Sequence, residues 1–186
     1  MAANSNMIAG DYERAMVFFD RAIELNAENP DFFVRRGWAR LRTHQHDRAI
    51  EDFSKAIALS PDNAEAYYNR GLLYQGDKQD QLAVEDFTAA NGLVPQRAEP
   101  LVARALSYLA LDKIKQAAAD LDEAVQANPQ NAQAWSTRGL AYERLGDKTT
   151  SASSYAHAKT LRQADDTARS GWGRTSDFRH GNARSF

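Results

Sequence analysis

The chain has four histidines and no cysteine, which sets the first limit on its chemistry. Without thiols there is no disulfide framework, no thiolate zinc site and no cysteine nucleophile. His44 and His46 form the one close pair, but a spacing of two at a helix end turns the rings in different directions, and only Asp47 lies beside them. A metal site needs three or four convergent ligands. His157 and His180 stand alone. The acidic pairs Glu51–Asp52, Glu85–Asp86 and Asp120 with Asp122 have the residue types of a general acid/base site. They recur, however, in the same part of successive segments, whereas a catalytic constellation occurs once, so the pattern predicts a solvated helix face. No glycine-rich phosphate loop, His-Glu-x-x-His or Gly-x-Ser-x-Gly is present. The expectation is no catalytic residue, no metal, no cofactor and no enzyme.

The recurrence is itself the main signal. Gly37, Gly71, Ala105 and Gly139 follow one another at intervals of 34, as do Ala15, Ala49, Ala83, Ala117 and Ser151, and Ala22, Ala56, Ala90, Ala124 and Ala158. Phe19, Phe53, Phe87, Leu121 and Tyr155 form a large apolar column in the same register, and Pro61, Pro95 and Pro129 follow each apolar run. Each unit carries two helical patterns, for example Ala64 to about Asp77 and Asp80 to about Leu93, the second stopped by Pro95. Ala83, Phe87 and Ala90 lie at spacings of four and three, on one face that must be buried. Glycine inside a helix costs about 0.5–1 kcal/mol relative to alanine, so the mid-helix glycines predict a contact too close for a side chain.

These residues resemble the tetratricopeptide repeat, best in the stretches from Ala64 and from Ala132. The resemblance implies an all-α fold: a right-handed superhelix, or α-solenoid, of stacked antiparallel helix-turn-helix hairpins, about four and a half to five repeats. It covers residues 1–165, with complete repeats at 30–63, 64–97, 98–131 and 132–165. Residues 1–29 are a clipped first repeat whose first helix shrinks to about Ala2–Ala9. It also implies a concave wall lined by the first helix of each unit, in three columns: Val34, Tyr68, Val102 and Ser136; Trp38, Leu72, Leu106 and Leu140; Leu41, Gln75, Leu109 and Glu143. With Arg35 and Asn69 as polar punctuation, this wall is the expected peptide-binding groove, and Trp38 its rigid anchor. The columns at which some family members clamp a chaperone C-terminal carboxylate read Val34, Trp38, Asn69, Glu99 and Ala103. Only the Asn is present, so that partner is disfavoured.

Two departures stand out. Arg40 replaces the tyrosine of Tyr74, Tyr108 and Tyr142, which predicts a locally polar contact, and Thr149, Thr150, Ser151, Ser153 and Ser154 make the last second helix polar, as a cap at an array end would be. Residues 166–186, rich in Ser, Gly and Arg, read as a disordered basic tail with isolated Trp172, Phe178 and Phe186.

With 23 Lys+Arg against 25 Asp+Glu the net charge is −2, which gives no bulk field to hold a polyanion, and no apolar run is long enough to span a bilayer. The expected role is a non-catalytic scaffold that binds a protein or peptide partner, without nucleic acid or membrane insertion. The cytoplasm is the default location, a removed export signal aside. The alternatives are homodimerisation through the clipped first hairpin, left with half a cover over Phe18, Phe19 and Ile23, and an adaptor regulated by its own tail.

Overall fold

The computed structural model describes residues 11–95 and 97–174, and the expected first helix, Ala2–Ala9, lies outside them. Among the described residues nine helices run in order: α1 (Tyr12–Leu25), α2 (Pro30–Arg42), α3 (His46–Leu59), α4 (Ala64–Gly76), α5 (Asp80–Leu93), α6 (Ala98–Ala110), α7 (Ile114–Ala127), α8 (Ala132–Arg144) and α9 (Lys148–Arg174). α2 with α3, α4 with α5, α6 with α7 and α8 with α9 pack as hairpins, and each hairpin packs on the next. The fold is an all-α helical solenoid. First helices also touch across repeats, α2 on α4, α4 on α6 and α6 on α8, whereas the second helices do not pack on one another to a like extent. The first helices therefore line the shorter, inner side of the array.

Local chemistry sets the hairpins. The side chains of Asn29, Asn63 and Asn131 accept hydrogen bonds from Asp31 N, Ala66 N and Ala134 N at 3.0, 2.9 and 3.0 Å, and so cap α2, α4 and α8. Inside each hairpin the turn places one residue in the left-handed region: His44 (φ 60), Lys78 (59), Asp112 (57) and Gly146 (83). The next amide then reaches back past the helix end, as Gln79 N does to Tyr74 O at 2.8 Å. Only Gly146 announces this position in the sequence.

The repeat columns form the core. Ala49, Ala83 and Ala117 have no exposed surface, nor do Phe53, Phe87 and Leu121. A Cβ at Gly71 would stand 2.7 Å from Phe87 Cε1, at Gly139 2.8 Å from Tyr155, and at Gly37 3.0 Å from Phe53 Cε1. Each glycine makes room for the aromatic ring of its own hairpin. Ala105 keeps its methyl because its hairpin carries Leu121, a residue without a ring, in that column.

The structure corrects the acidic pattern. Glu51 and Glu85 are exposed as expected, but Asp52, Asp86 and Asp120 are buried. Each receives a bidentate arginine from the first helix of its own repeat. Arg36 meets Asp52 at 2.7 and 3.1 Å, Arg70 meets Asp86 at 2.7 and 2.8 Å, and Arg104 meets Asp120 at 2.7 and 2.8 Å. The third nitrogen of each fork reaches back to the preceding repeat: Arg36 to Asp20 at 2.6 Å, Arg70 to Ser54 at 2.9 Å, Arg104 to Thr88 at 3.0 Å. In the last repeat the roles exchange. Arg138 donates to Asp122 of the preceding repeat and to Ser154 of its own, both at 2.7 Å. One guanidinium per interface thus ties two repeats together, its planar fork matched to a carboxylate. The sequence signal was the column Arg36, Arg70, Arg104 and Arg138, also at intervals of 34. Arg40, in the tyrosine column, joins the first of these sites at 2.8 Å from Asp52, a polar contact of the expected kind.

The array end also differs from expectation. Ser151 and Ser154 face inward and are buried, so only Thr149 and Ser153 of the polar set present an exposed surface. α9 does not stop near Leu161 but continues through Arg174, so 166–174 is helix where a disordered tail was expected. Residues 175–186 lie outside the described residues.

Candidate functional site

The first helices use one face for the glycines and arginines that join the repeats. The other faces inward, and there an open-sided pocket of about 250 Å³ lies between α4, α6 and α8. Its apolar wall is Tyr68, Leu72, Val102, Ala103 and Leu106, and its polar rim is Gln75, Glu99, Asn131 and Gln133. At about 30 Å³ per water molecule this is roughly eight waters, enough room for one bulky side chain. Gln75 is held in place by two donations of its amide, to Ala103 O and to Ser107 Oγ, both at 2.8 Å. Burial pushes the Tyr68 phenol above its ordinary range, the Glu99 carboxylate pushes it further, and Arg97 opposes both. Glu99 and Arg97 face each other at 3.5 Å, each about half exposed.

Of the column residues, Tyr68, Leu72, Gln75, Val102 and Leu106 line this pocket. The other residues expected in the groove are placed differently. Val34 and Leu109 are each buried in a cluster of core residues, because first helices of adjacent repeats close over them. Asn69 is also buried, its amide donating to Glu65 O at 2.9 Å. Trp38 is half-buried rather than a bare anchor: the Tyr12 ring meets it edge-on at 6.1 Å and the Arg42 guanidinium lies 5.6 Å over it. Leu41 packs half-buried on the cluster that holds Phe33, Val34, Phe53 and Leu73. Arg35 is exposed at that end. Leu140 and Glu143 are exposed on α8, and Glu143 accepts a hydrogen bond from the Tyr155 hydroxyl at 3.0 Å. Asn131 and Gln133 complete the pocket without belonging to any of the three columns. They stand where one unit meets the next, which a column reading of single helices passes over.

The His44 and His46 rings are 6.1 Å apart, and among the described residues no three His, Asp or Glu side chains gather as metal ligands. No helix among them is long and apolar enough to cross a membrane.

Family models fall along most of the chain: one described as TPR repeat on residues 44–77, one as tetratricopeptide repeat on 102–168, and another tetratricopeptide repeat model on 1–29 and 64–96. No curated protein matches the sequence. Among solved structures, a crystal structure of MamA is similar with a TM-score of 0.83 at 20% identity, over 90% of this chain and 98% of that one. MamA 41-end from Desulfovibrio magneticus RS-1 gives 0.82 at 21%, over 89% and 93%. YrrB, described as a TPR protein with an unusual peptide-binding site, gives 0.76 at 19%, over 87% and 83%.

Proposed function

The chain belongs to the tetratricopeptide repeat family, and from that premise we propose that it is a non-catalytic scaffold that takes a segment of a partner protein on its inner face. The observation that carries this reading is the pocket between α4, α6 and α8, where Tyr68, Leu72 and Leu106 keep part of their apolar surface open to solvent. An open-sided apolar pocket with a few fixed polar groups suits one anchoring side chain of a peptide, with Gln75, Asn131 and Gln133 available to its main chain. The peptide-binding site described for YrrB, on the same fold, supports the reading. Anchors seated in such pockets carry most of the binding energy.

The test is affinity capture with the intact chain and with Leu72→Arg, Leu106→Arg, read by mass spectrometry, with Leu82→Arg on the exposed surface of α5 as the control. A protein lost only with the double variant, while circular dichroism and the melting profile keep their form, is the expected result. An unchanged catch overturns it.

A second reading has its own observation. Val17 and Leu25 on α1 are 70% and 74% exposed and Phe18 is 43% exposed, an apolar end face that suits a homodimer through the first hairpin. Light scattering that gives a concentration-independent monomer removes this reading.

A further inference from the structure

We propose that the pocket selects a tryptophan side chain, presented by an extended partner segment that carries a Lys or Arg two residues away. This inference rests on the scaffold reading and adds its specificity: Gln75 reads the indole N–H and Glu65 the neighbouring cation.

The argument begins with Gln75. It occupies a column that reads Leu41 and Leu109 in the adjacent units, so a polar side chain stands among Leu72, Ala103 and Leu106. Gln75 Nε2 donates to Ala103 O and to Ser107 Oγ, both at 2.8 Å. A carbonyl oxygen only accepts, so the nitrogen faces Ala103 and the orientation of the amide is settled. Both hydrogens are then spent, and Oε1 remains a fixed acceptor with no partner among the described residues. Among those residues the buried side-chain polar atom that lacks a partner is Asn91 Oδ1, so Gln75 Oε1 is open to solvent, on a side chain that lines the pocket. Two other acceptors of the rim are engaged: Asn131 Oδ1 caps α8 through Ala134 N at 3.0 Å, and Glu99 faces Arg97 at 3.5 Å.

An aliphatic or phenyl anchor would shut water away from Oε1 and leave it unpaired, whereas an N–H pairs with it. Tryptophan joins a large apolar body to a polar atom that only donates, and a space of about 250 Å³ receives it. A phenol brings an oxygen whose lone pairs need donors as well.

Glu65 sets the flanking residue. It is exposed on α4, one turn before Tyr68 and about 5–6 Å from it between Cβ atoms, and no ion pair or hydrogen bond engages its carboxylate among the described residues. Arg97, the cation of the rim, faces Glu99 instead. In an extended segment, residues i and i+2 point to the same side about 6.6 Å apart, which matches the step from the pocket to Glu65.

The probe is the blocked peptide Ser-Lys-Ser-Trp-Ser-Lys-Ser, with a lysine two residues to either side of the anchor, titrated into the full chain while the amide signals of Leu72, Gln75 and Leu106 are followed by nuclear magnetic resonance. Saturable shifts at these residues are expected. Binding should weaken about tenfold when benzothienylalanine, which holds sulfur in place of the indole N–H, replaces the tryptophan, and about threefold with Glu65→Lys. Equal affinity for the two anchors overturns the proposal, as does a phenylalanine or tyrosine peptide that binds as tightly, or a Glu65→Lys chain that binds no worse. Gln75→Met keeps the shape and removes the acceptor, so the two anchors should then bind alike; a preference for tryptophan that survives also overturns it. If that variant melts early, the benzothienyl comparison on the parent chain decides alone. The two readings fail separately. Selective loss of a partner with Leu72→Arg, Leu106→Arg, beside a peptide that shifts no groove signal, defeats this inference and leaves the scaffold. Selective peptide binding beside an unchanged capture defeats the scaffold reading.

Discussion

Gly71→Ala tests the packing logic of the whole array. The new methyl carbon would stand 2.7 Å from Phe87 Cε1 and 3.0 Å from Cδ1, against an optimum of about 3.5–4.0 Å between carbons. Phe87 has no exposed surface, so its ring has no free direction in which to yield. Overpacking of this kind costs about 1–3 kcal/mol, while alanine returns about 0.5–1 kcal/mol of helix propensity, leaving a net loss of about 0.5–2 kcal/mol. The unit 98–131 holds the compensated combination, Ala105 with Leu121, both fully buried. Phe87→Leu alone leaves a void beside Gly71 and costs about 1–1.5 kcal/mol; Gly71→Ala, Phe87→Leu rebuilds the Ala105–Leu121 pair and costs less than Phe87→Leu alone. The coupling from the four chains should be about 1–2.5 kcal/mol in favour of the double variant. Urea unfolding followed by circular dichroism measures it, provided the slopes agree. A coupling below about 0.5 kcal/mol, or a Gly71→Ala chain more stable than the parent, refutes the account of why these columns read as they do.

Arg104→Leu strands the buried Asp120 carboxylate and should cost about 3 kcal/mol, whereas Arg104→Leu, Asp120→Leu recovers most of it; urea midpoints in which the double variant is as weak as the single one contradict this. Lys78→Gly relieves a side chain at φ 59 and should stabilise by about 0.5–1 kcal/mol, as the native Gly146 does in its turn, read as a raised midpoint. Arg97 stands where Asn29, Asn63 and Asn131 cap the other first helices, and α6 has no side-chain cap. Arg97→Asn should add about 1 kcal/mol of stability while changing affinity for whatever enters the pocket, since Arg97 faces Glu99 at its rim; a chain stabilised with binding unchanged separates the cap from the site.

Most of the scaffold was legible because each structural requirement repeats. Four small and large columns at one interval give the hairpin, the buried face and the helix limits, and Pro61, Pro95 and Pro129 mark the stops. What escaped were features whose meaning depends on a partner in another helix. Asp52, Asp86 and Asp120 look like solvated acids until the arginine column is set against them, because composition along one helix carries no record of what crosses from the next. The serines of α9 look like a cap for the same reason, though Ser154 takes the place of those aspartates and Asp122 supplies the charge from one repeat earlier. In the groove, the size of Val34 and Leu109 did not reveal that neighbouring first helices close over them.

The two faces of the first helices differ in how freely their residues vary from repeat to repeat, and that difference bears on function. The joining face reads Gly37, Gly71, Ala105, Gly139 and Arg36, Arg70, Arg104, Arg138: a side chain at any of the three glycines meets a ring at under 3.5 Å, and Arg36, Arg70 and Arg104 each hold a buried carboxylate. The inner face reads Val34, Tyr68, Val102, Ser136 and Asp31, Glu65, Glu99, Gln133, with changes of size, polarity and charge from one unit to the next. Such variation is tolerable where the residue stays open to solvent, at least in part, as Tyr68, Glu99 and Gln133 do, because the repeats are joined chiefly through the other face. The array is therefore mechanically uniform and chemically individual. The pocket falls where three successive units contribute unlike residues, Tyr68, Glu99 and Gln133, to one surface, and no single repeat read alone could have placed it there.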